Sequence, residues 1–125
     1  MKIKVDTKEK FSVLRPTEAV FSVNMAEELT TIVMQRLQAP VKNVIVDFTA
    51  IETAEKQALI ELATIHQIVY KNSASFVVCN LKAAIKTLLD ELDLTDVLNI
   101  TPTESEAWDI VQMEEIEREL FGDEE

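Results

Sequence analysis

A group of carboxylates and hydroxyls follows a strongly apolar segment near the middle of the chain. Residues 44–48 (VIVDF) are apolar apart from one aspartate, as expected of a buried strand, and a helical pattern begins a few residues later. The polar side chains at this junction are Asp47, Thr49, Glu52, Thr53 and Glu55. Acids and threonines at the start of a helix either cap its unpaired N–H groups or present a polar surface to a partner. Both roles stay open for this group, and we expect any working site to lie here.

Other side chains that could support catalysis do not converge on one place. His66 is the only histidine, and it has no cysteine or second histidine at metal-ligand spacing. The serines have no base beside them in a recognisable motif. We therefore predict a non-enzymatic protein without catalytic residues, metal or other cofactor, and with His66 at the edge of the core.

The cysteine and glycine contents exclude two further kinds of site. Cys79 is the only cysteine, so no internal disulfide can form, and its apolar neighbours predict a buried structural role. Gly122 is the only glycine, and it lies near the C-terminus. Glycine-rich loops that bind phosphate require backbone without Cβ close to the ligand, so nucleotide sites of that design are excluded.

Net charge and hydropathy restrict the partners and the location. The chain has 125 residues and a formal net charge of −11, which argues against binding to nucleic acid or to an anionic lipid surface. No apolar run approaches the roughly 18 residues of a membrane-spanning helix, and no apolar segment follows the N-terminal lysines. We expect a cytoplasmic protein that does not insert directly into a membrane.

The first half of the chain predicts a hairpin, a helix and a central strand. Residues 2–6 and 11–15 are strand-like and separated by a short polar turn, which favours an antiparallel pair. Residues 17–23 are ambiguous between a strand and a covered loop. Asn24 is predicted to cap the next helix, with Glu27 completing a capping box, and residues 44–48 form the central strand.

Helices and strands alternate through the second half. Helices are predicted over residues 54–70, 82–92 and 104–120, with strands over 75–79 and near 94–100. Thr103 and Glu106 form a capping box at the start of the last helix. This order predicts one α/β domain over residues 1–121, followed by an acidic tail over residues 122–125. We expect a mixed central sheet of about four to five strands with about four helices, the later strands being parallel.

The last helix combines apolar and acidic residues. The spacing of four side chains predicts one docking side: Ile110, Met113, Ile116 and Leu120. Trp108 and Phe121 are predicted as additional large anchors. The acidic run, which is predicted to face solvent, contains Glu114, Glu115, Glu117 and Glu119. Whether this helix packs on its own core or on a second copy stays open, and so does a homodimer.

Three segments resemble the STAS domain of anti-sigma factor antagonists. Residues 44–51 (VIVDFTAI) are similar to the family's strand ending in DLSGV, residues 75–80 (SFVVCN) to its next strand ending near Asn, and residues 92–98 (LDLTDVL) to its LDxxL turn. The likeness extends from about residue 2 to residue 108. It implies the STAS fold and binding to a protein partner, namely a serine kinase that also acts as an anti-sigma factor.

The resemblance departs from the family at the phosphorylation motif. In an ungapped alignment, residues 55–59 (EKQAL) occupy the position of DSSGL, so the phosphorylatable serine falls on Gln57 and its neighbouring serine on Lys56. The family's GELD turn is also lost, within residues 17–23. Neither Gln57 nor Lys56 carries a hydroxyl, so the resemblance implies a degenerate, non-phosphorylatable switch. A gap of three or four residues would instead make Thr53 an alternative phosphosite.

These observations predict a regulatory module that binds a protein and lacks the usual serine switch. The partner-binding residues are expected to be Thr53, Glu55, Lys56, Gln57, Asn80 and Lys82. A different hypothesis is an accessory STAS-like subunit of a lipid-transport or membrane-transporter complex.

Overall fold

Seven strands and four helices alternate along residues 2–121, the part of the chain described by the computed structural model. The strands are β1 (Ile3–Thr7), β2 (Ser12–Pro16), β3 (Val20–Phe21), β4 (Val44–Asp47), β5 (Thr53–Ala54), β6 (Phe76–Cys79) and β7 (Asn99–Thr101). The helices are α1 (Val23–Leu37), α2 (Lys56–Lys71), α3 (Ala83–Glu91) and α4 (Glu104–Phe121). This confirms the predicted α/β class. The predicted acidic tail, residues 122–125, lies outside the described residues.

The main sheet has five strands in the order β1-β2-β4-β6-β7. β1 and β2 form the predicted antiparallel hairpin, and the pairs β2/β4, β4/β6 and β6/β7 are parallel. β4 has a strand on each side, and all four of its residues are buried. The prediction of a central strand covered on both faces is therefore confirmed. Because the strands are parallel, the segments that follow β4 and β6 emerge at the same edge of the sheet.

Each face of the sheet packs against its own set of helices. Val44 and Val46 belong to the larger apolar cluster, which includes buried side chains of α1, α2 and α3. Ile45 faces the other way, into a smaller cluster that contains Ala107 and Val111 of α4. Within residues 2–121, α4 is the helix that contributes to this smaller cluster. Such burial is the main favourable term for folding, at about 1.5–3 kcal/mol for each large apolar side chain.

A second, two-stranded sheet pairs β3 with β5, the short strand that follows β4 in the sequence. β3 and β5 are parallel, with Val20 opposite Thr53 and Phe21 opposite Ala54. The ring of Phe21 is fully buried, and its centroid lies 5.0 Å from that of Phe48. The sequence left residues 17–23 open between a strand and a covered loop, and the structure has the strand β3 there. The sequence pattern missed β5, because two residues show no alternation. Since residues 53–54 are extended, α2 begins at residue 56 and not at residue 54 as predicted.

The start of α1 differs from the prediction. Ser22 is the N-cap, and its Oγ accepts a hydrogen bond from the backbone N–H of Met25 at 3.2 Å. Asn24 lies inside the helix, so the prediction that it caps α1 was wrong. The helix begins earlier because β3 ends at Phe21 and leaves Ser22 in the extended conformation that an N-cap requires.

The start of α4 agrees with the prediction. Thr103 Oγ1 accepts a hydrogen bond from the backbone N–H of Glu106 at 3.2 Å, and its hydroxyl donates to the Glu106 carboxylate at 3.0 Å. The predicted pairing of these two residues at the helix start is therefore confirmed. A capping box can be predicted from the sequence because both of its partners lie within one helical turn.

The orientation of α4 corrects the prediction of its docking side. Ala107 and Val111 are fully buried against the sheet, and Ile110 is partly buried there. The other three residues predicted to dock are exposed: Met113, Ile116 and Leu120. α4 does pack on its own core. Trp108 is partly exposed, with its ring centroid 5.0 Å from that of Phe11, while the side chain of Phe121 lies outside the described residues.

Polar side chains on the packed side of α4 explain this orientation. Glu114 accepts a hydrogen bond from the Tyr70 hydroxyl at 2.7 Å, and Glu115 accepts one from Asn43 at 2.9 Å. Arg118 donates to the buried Ser75 hydroxyl at 3.1 Å. Leaving the polar groups of Tyr70, Asn43 and Ser75 without partners beneath α4 would be costly, so α4 turns matching polar groups toward them. Two members of the acidic run, Glu114 and Glu115, are therefore only partly exposed and do not face solvent fully as predicted.

Candidate functional site

Asp47, the last residue of β4, is the centre of a polar cluster at the edge of the sheet. Its side chain is largely buried, and Oδ1 accepts hydrogen bonds from the backbone N–H of Thr49 at 2.9 Å and from the Thr49 hydroxyl at 2.5 Å. Asn80 donates to the same oxygen at 3.0 Å, and Arg15 donates to Oδ2 at 2.6 Å. Burial raises the pKa of Asp47, but the hydrogen bonds from Thr49, Asn80 and Arg15 outweigh it and lower the pKa below its usual value.

Arg15 connects three elements of the fold at this edge. Its Nη1 lies 2.6 Å from Asp47 Oδ2 and 2.6 Å from Glu104 Oε1, so it joins β2, β4 and the start of α4. Sequence reasoning did not identify Arg15 or Glu104 as part of this cluster. A signal did exist: Asp47 is a lone acid in an apolar strand, and a buried acid requires a cation nearby. That signal does not identify which cation.

Asn80 and Lys82 lie beside the loop that follows β4. Asn80 has a positive φ of 61°, a conformation that asparagine tolerates better than most residues, and this turns its amide toward Asp47. The Lys82 ammonium donates to the backbone carbonyl of Thr49 and lies 3.5 Å from a carboxylate oxygen of Glu52. The structure thus brings two of the predicted binding residues against the predicted turn.

The Glu55 side chain forms its hydrogen bond with α1, although Glu55 itself lies at the start of α2. It is the N-cap of α2 by backbone geometry, yet its side chain makes no capping hydrogen bond to α2. Its Oε1 instead accepts a hydrogen bond at 2.7 Å from the backbone N–H of Val23, in the first turn of α1. Thr53, which was considered as a cap, pairs in β5. The starts of α1 and α2 are therefore tied together by one carboxylate.

Lys56 and Gln57 are exposed in the first turn of α2. They follow the loop that Lys82 contacts, and α3 contacts β5. The polar side chains of these elements are together called here the junction surface: Thr49, Glu52, Thr53, Lys56, Gln57 and Lys82. Its backbone is held in place, because the N–H groups of Glu52 and Thr53 donate to Ala19 O at 2.7 and 3.1 Å. A fixed backbone with exposed polar side chains is suited to recognition.

The remaining reactive side chains are not exposed on this surface. Cys79 is fully buried, and burial raises the pKa of its thiol to about 12, which keeps it protonated and inert. His66 is half-buried, its ring centroid lies 4.6 Å from that of Tyr70, and burial lowers its pKa. Both positions agree with the structural roles predicted for these residues.

Two kinds of site are absent from the described part of the chain. Across residues 2–121, no three His, Cys, Asp or Glu side chains are grouped so that they could hold a metal ion. Over the same residues, no helix has the length and apolar character needed to span a membrane.

Comparison with known proteins gives one family match and several related folds. A family model described as STAS domain matches residues 2–107. No curated protein sequence matches the chain significantly. A solved structure from Thermotoga maritima, described as that of an anti-sigma factor antagonist, has a TM-score of 0.77 at 15% identity and covers 88% of this chain and 94% of its own.

Two further solved structures share the fold. The anti-sigma factor antagonist SpoIIAA in its unphosphorylated form has a TM-score of 0.71 at 14% identity, covering 88% of this chain and 96% of its own. The murine anion transporter Slc26a9 has a TM-score of 0.66 at 11% identity, covering 86% of this chain but only 18% of the transporter. At these identities the likeness concerns the fold alone.

Proposed function

This chain belongs to the STAS domain family, and we propose on that premise that it is a non-enzymatic, protein-binding regulatory module of the cytoplasm. The observation that carries the proposal is the junction surface. Its exposed side chains lie on a backbone fixed by hydrogen bonds, while the reactive groups are not exposed there: Cys79 is buried and His66 is half-buried. Such a surface supports recognition, and it pairs no nucleophile with a base.

The proposed partner is an anti-sigma factor with serine kinase activity. The resemblance to anti-sigma factor antagonists supports this class, and the chain spans nearly the whole length of the SpoIIAA structure. Lys56 adds a positive charge to the first turn of α2, where Gln57 is also exposed. A partner that contacts this turn is therefore expected to place an acidic or neutral group opposite Lys56.

Binding is proposed to proceed without the family's serine switch. Phosphorylation adds about −1.5 to −2 charges, which at a helix N-terminus changes partner affinity strongly. In the ungapped alignment Gln57 falls on the position of the phosphorylated serine, and it has an amide in place of a hydroxyl. The module would then bind in a constant state, or be controlled through the amount of partner.

Phosphopeptide mass spectrometry of the protein from its native cell is expected to find neither Thr53 nor Thr49 modified. The Thr49 hydroxyl donates to Asp47 at 2.5 Å, and Thr53 is held in the β3/β5 pair, so neither presents a free, mobile acceptor. A substantial modified fraction at Thr53 would contradict the switchless part of the proposal. It would leave the binding role in place.

Substitution of Lys56 by glutamate is expected to weaken partner binding at least about tenfold, because a charge reversal in a recognition surface leaves an opposed group unpaired. The measurement is isothermal titration calorimetry against each kinase-type anti-sigma factor encoded in the same genome. A Gln57→Arg variant tests the neighbouring position by adding bulk and charge.

Lys71→Glu provides the matched control, since Lys71 is also exposed but lies at the opposite end of α2. It should change the affinity less than about twofold, the range of an ordinary surface substitution. If no such factor binds the unaltered chain, the proposed partner class is wrong. If one binds and Lys56→Glu has the same effect as Lys71→Glu, the junction surface is not the interface.

A second candidate function is an accessory subunit of a lipid-transport or membrane-transporter complex. The observation that favours it is the shared fold with part of the murine anion transporter Slc26a9. Chemical cross-linking in native cells followed by membrane fractionation distinguishes the two. Recovery of the chain with an integral transporter protein would favour the second function, and recovery with a sigma-regulating protein the first.

A further inference from the structure

The outer side of α4 carries an apolar ridge that the other residues in the described part of the chain leave uncovered. The ridge consists of Met113, Ile116 and Leu120, whose exposed fractions are 59%, 56% and 64%. Their spacing places them along one stripe over two helical turns. Ala107 and Val111, which pack on the sheet, lie on the opposite side of the helix. The ridge is therefore unnecessary for holding α4 to its own domain.

The ridge is bordered by negative charge. Three exposed acids lie beside or between its members on the helix surface: Asp109, Glu117 and Glu119. Nearby cations do not offset them, because Arg118 turns inward to Asn43 and Ser75, and Lys10 lies 3.9 Å from Glu115. An apolar stripe rimmed by one sign of charge favours an occupant whose rim has the opposite sign.

α4 holds the ridge in a fixed position. Near its start Glu104 pairs with Arg15 at 2.6 Å, and near its end Arg118 donates to the Ser75 hydroxyl at 3.1 Å. Between these points Glu114 accepts the hydrogen bond from Tyr70. A rigid helix face loses little conformational entropy on binding, so even a small apolar ridge can contribute useful affinity.

We propose that the apolar ridge is a docking site for a basic amphipathic helix of a protein partner. Leucine-like side chains of that helix would cover Met113, Ile116 and Leu120, and its flanking lysines or arginines would face Glu117 and Glu119.

A second copy of this chain is a poor occupant of the ridge. Two such ridges would oppose acid to acid, in molecules that each carry a net charge of −11. The ridge lies beyond residue 107, the end of the family match, so this proposal is independent of the proposed function.

The test uses the full chain and a synthetic helical peptide of about 18 residues with one leucine stripe flanked by lysines. One comparison peptide replaces the lysines by glutamates, and another has the lysine composition with the stripe scrambled. Binding is measured by NMR titration of the isotope-labelled chain. We expect backbone shifts confined to α4 around the ridge, with the two comparison peptides at least about tenfold weaker.

Two variants make the test specific to the ridge. Ile116→Ser should weaken binding of the lysine peptide at least about tenfold, whereas Ile60→Ser should leave it within about twofold. Ile60 is a matched control because it is an exposed isoleucine, 40% accessible, on α2. A Glu117→Lys/Glu119→Lys double variant, which keeps the apolar stripe, should favour the glutamate peptide instead.

Several results would overturn the proposal. These are no binding of the lysine peptide, equal binding of the scrambled or glutamate peptide, and shifts that lie away from α4. A fourth is a dimer of the unaltered chain in sedimentation equilibrium that Ile116→Ser dissociates, which would make the second copy the occupant. Equal effects of Ile116→Ser and Ile60→Ser would also count against the ridge.

Discussion

Replacing Asn43 by alanine is expected to lower the free energy of unfolding by about 3 kcal/mol, because several hydrogen bonds to buried groups are lost together. Asn43 is 3% exposed and directly precedes the central strand β4. Its Nδ2 donates to the backbone carbonyl of Lys10 and to Glu115 Oε2, each at 2.9 Å. Its Oδ1 accepts from the Ser75 backbone N–H at 2.8 Å and from Arg118 at 3.2 Å.

The large effect comes from the groups that the substitution leaves behind. Ser75 is fully buried, so water cannot easily replace the lost partner of its N–H, and an unpaired buried donor costs about 1–3 kcal/mol. Glu115 and Arg118 would lose the same anchor at once. The alanine substitution therefore weakens the contact between the segments that lead into β4 and β6, and it weakens the attachment of α4 to the sheet.

Urea denaturation followed by circular dichroism checks this expectation. Lys42→Ala is the control, because Lys42 is the exposed neighbour of Asn43, and its loss should stay within about 0.5 kcal/mol. An Asn43→Asp variant keeps the acceptor but loses the donors, and places a carboxylate beside Glu115. A loss for Asn43→Ala as small as that for Lys42→Ala would show that this network contributes little stability.

Asp47→Ala is expected to cost about 2–3 kcal/mol of unfolding free energy, the range for hydrogen bonds to a charged group. The substitution removes the acceptor shared by Thr49 and Asn80. It also removes one of the three carboxylates that lie within 4.0 Å of the Arg15 guanidinium, the others being those of Asp6 and Glu104. Arg15 keeps Glu104 at 2.6 Å and is partly exposed, so the cost stays below that of a fully isolated buried charge.

The loss should depend on pH in one direction. The pKa of Asp47 is lower in the folded chain than its ordinary value near 3.8, so the folded state favours the ionised form. The corresponding stabilisation is fully present above the unfolded-state pKa of about 4 and is lost as the pH falls through the lower, folded-state pKa. The difference between the unaltered chain and Asp47→Ala should therefore be constant from about pH 5 to 8 and shrink below about pH 4.

Stability curves measured at several pH values provide the test. Asp96→Ala is the matched control, since Asp96 is an exposed aspartate, and it should change stability by less than about 0.5 kcal/mol at every pH. A difference for Asp47→Ala that stayed unchanged down to pH 3 would show that the ionised form is not the stabilising one.

The fold was largely predictable because its strongest signals are local. Residues 44–47 are continuously apolar up to the final aspartate, which indicates a buried strand. α2 carries a clear apolar stripe at helical spacing, so both elements could be identified from their local patterns. The pair β3 and β5 was not, since two-residue strands are defined by their pairing and not by their sequence. The same pairing moved the starts of α1 and α2 away from their predicted positions.

Contacts between distant residues were the least predictable part of the candidate site. Asn80 and Lys82 could be placed beside the turn after β4, because parallel strands bring their following segments to one edge. Glu104 lies 89 positions from Arg15, and no local pattern identifies such a pair. The side of α4 that packs was also mispredicted, because buried polar partners outweighed the more apolar stripe.

The separate apolar cluster beneath α4 has a consequence for folding and aggregation. Phe11, Val13, Ile45 and Val77 form an apolar surface on one side of the sheet, and Ala107 and Val111 of α4 complete it. In a partly folded chain whose sheet has formed but whose α4 has not docked, this surface is open to water and to other chains. Docking of α4 therefore covers an aggregation-prone surface, and substitutions that loosen α4 are expected to promote aggregation.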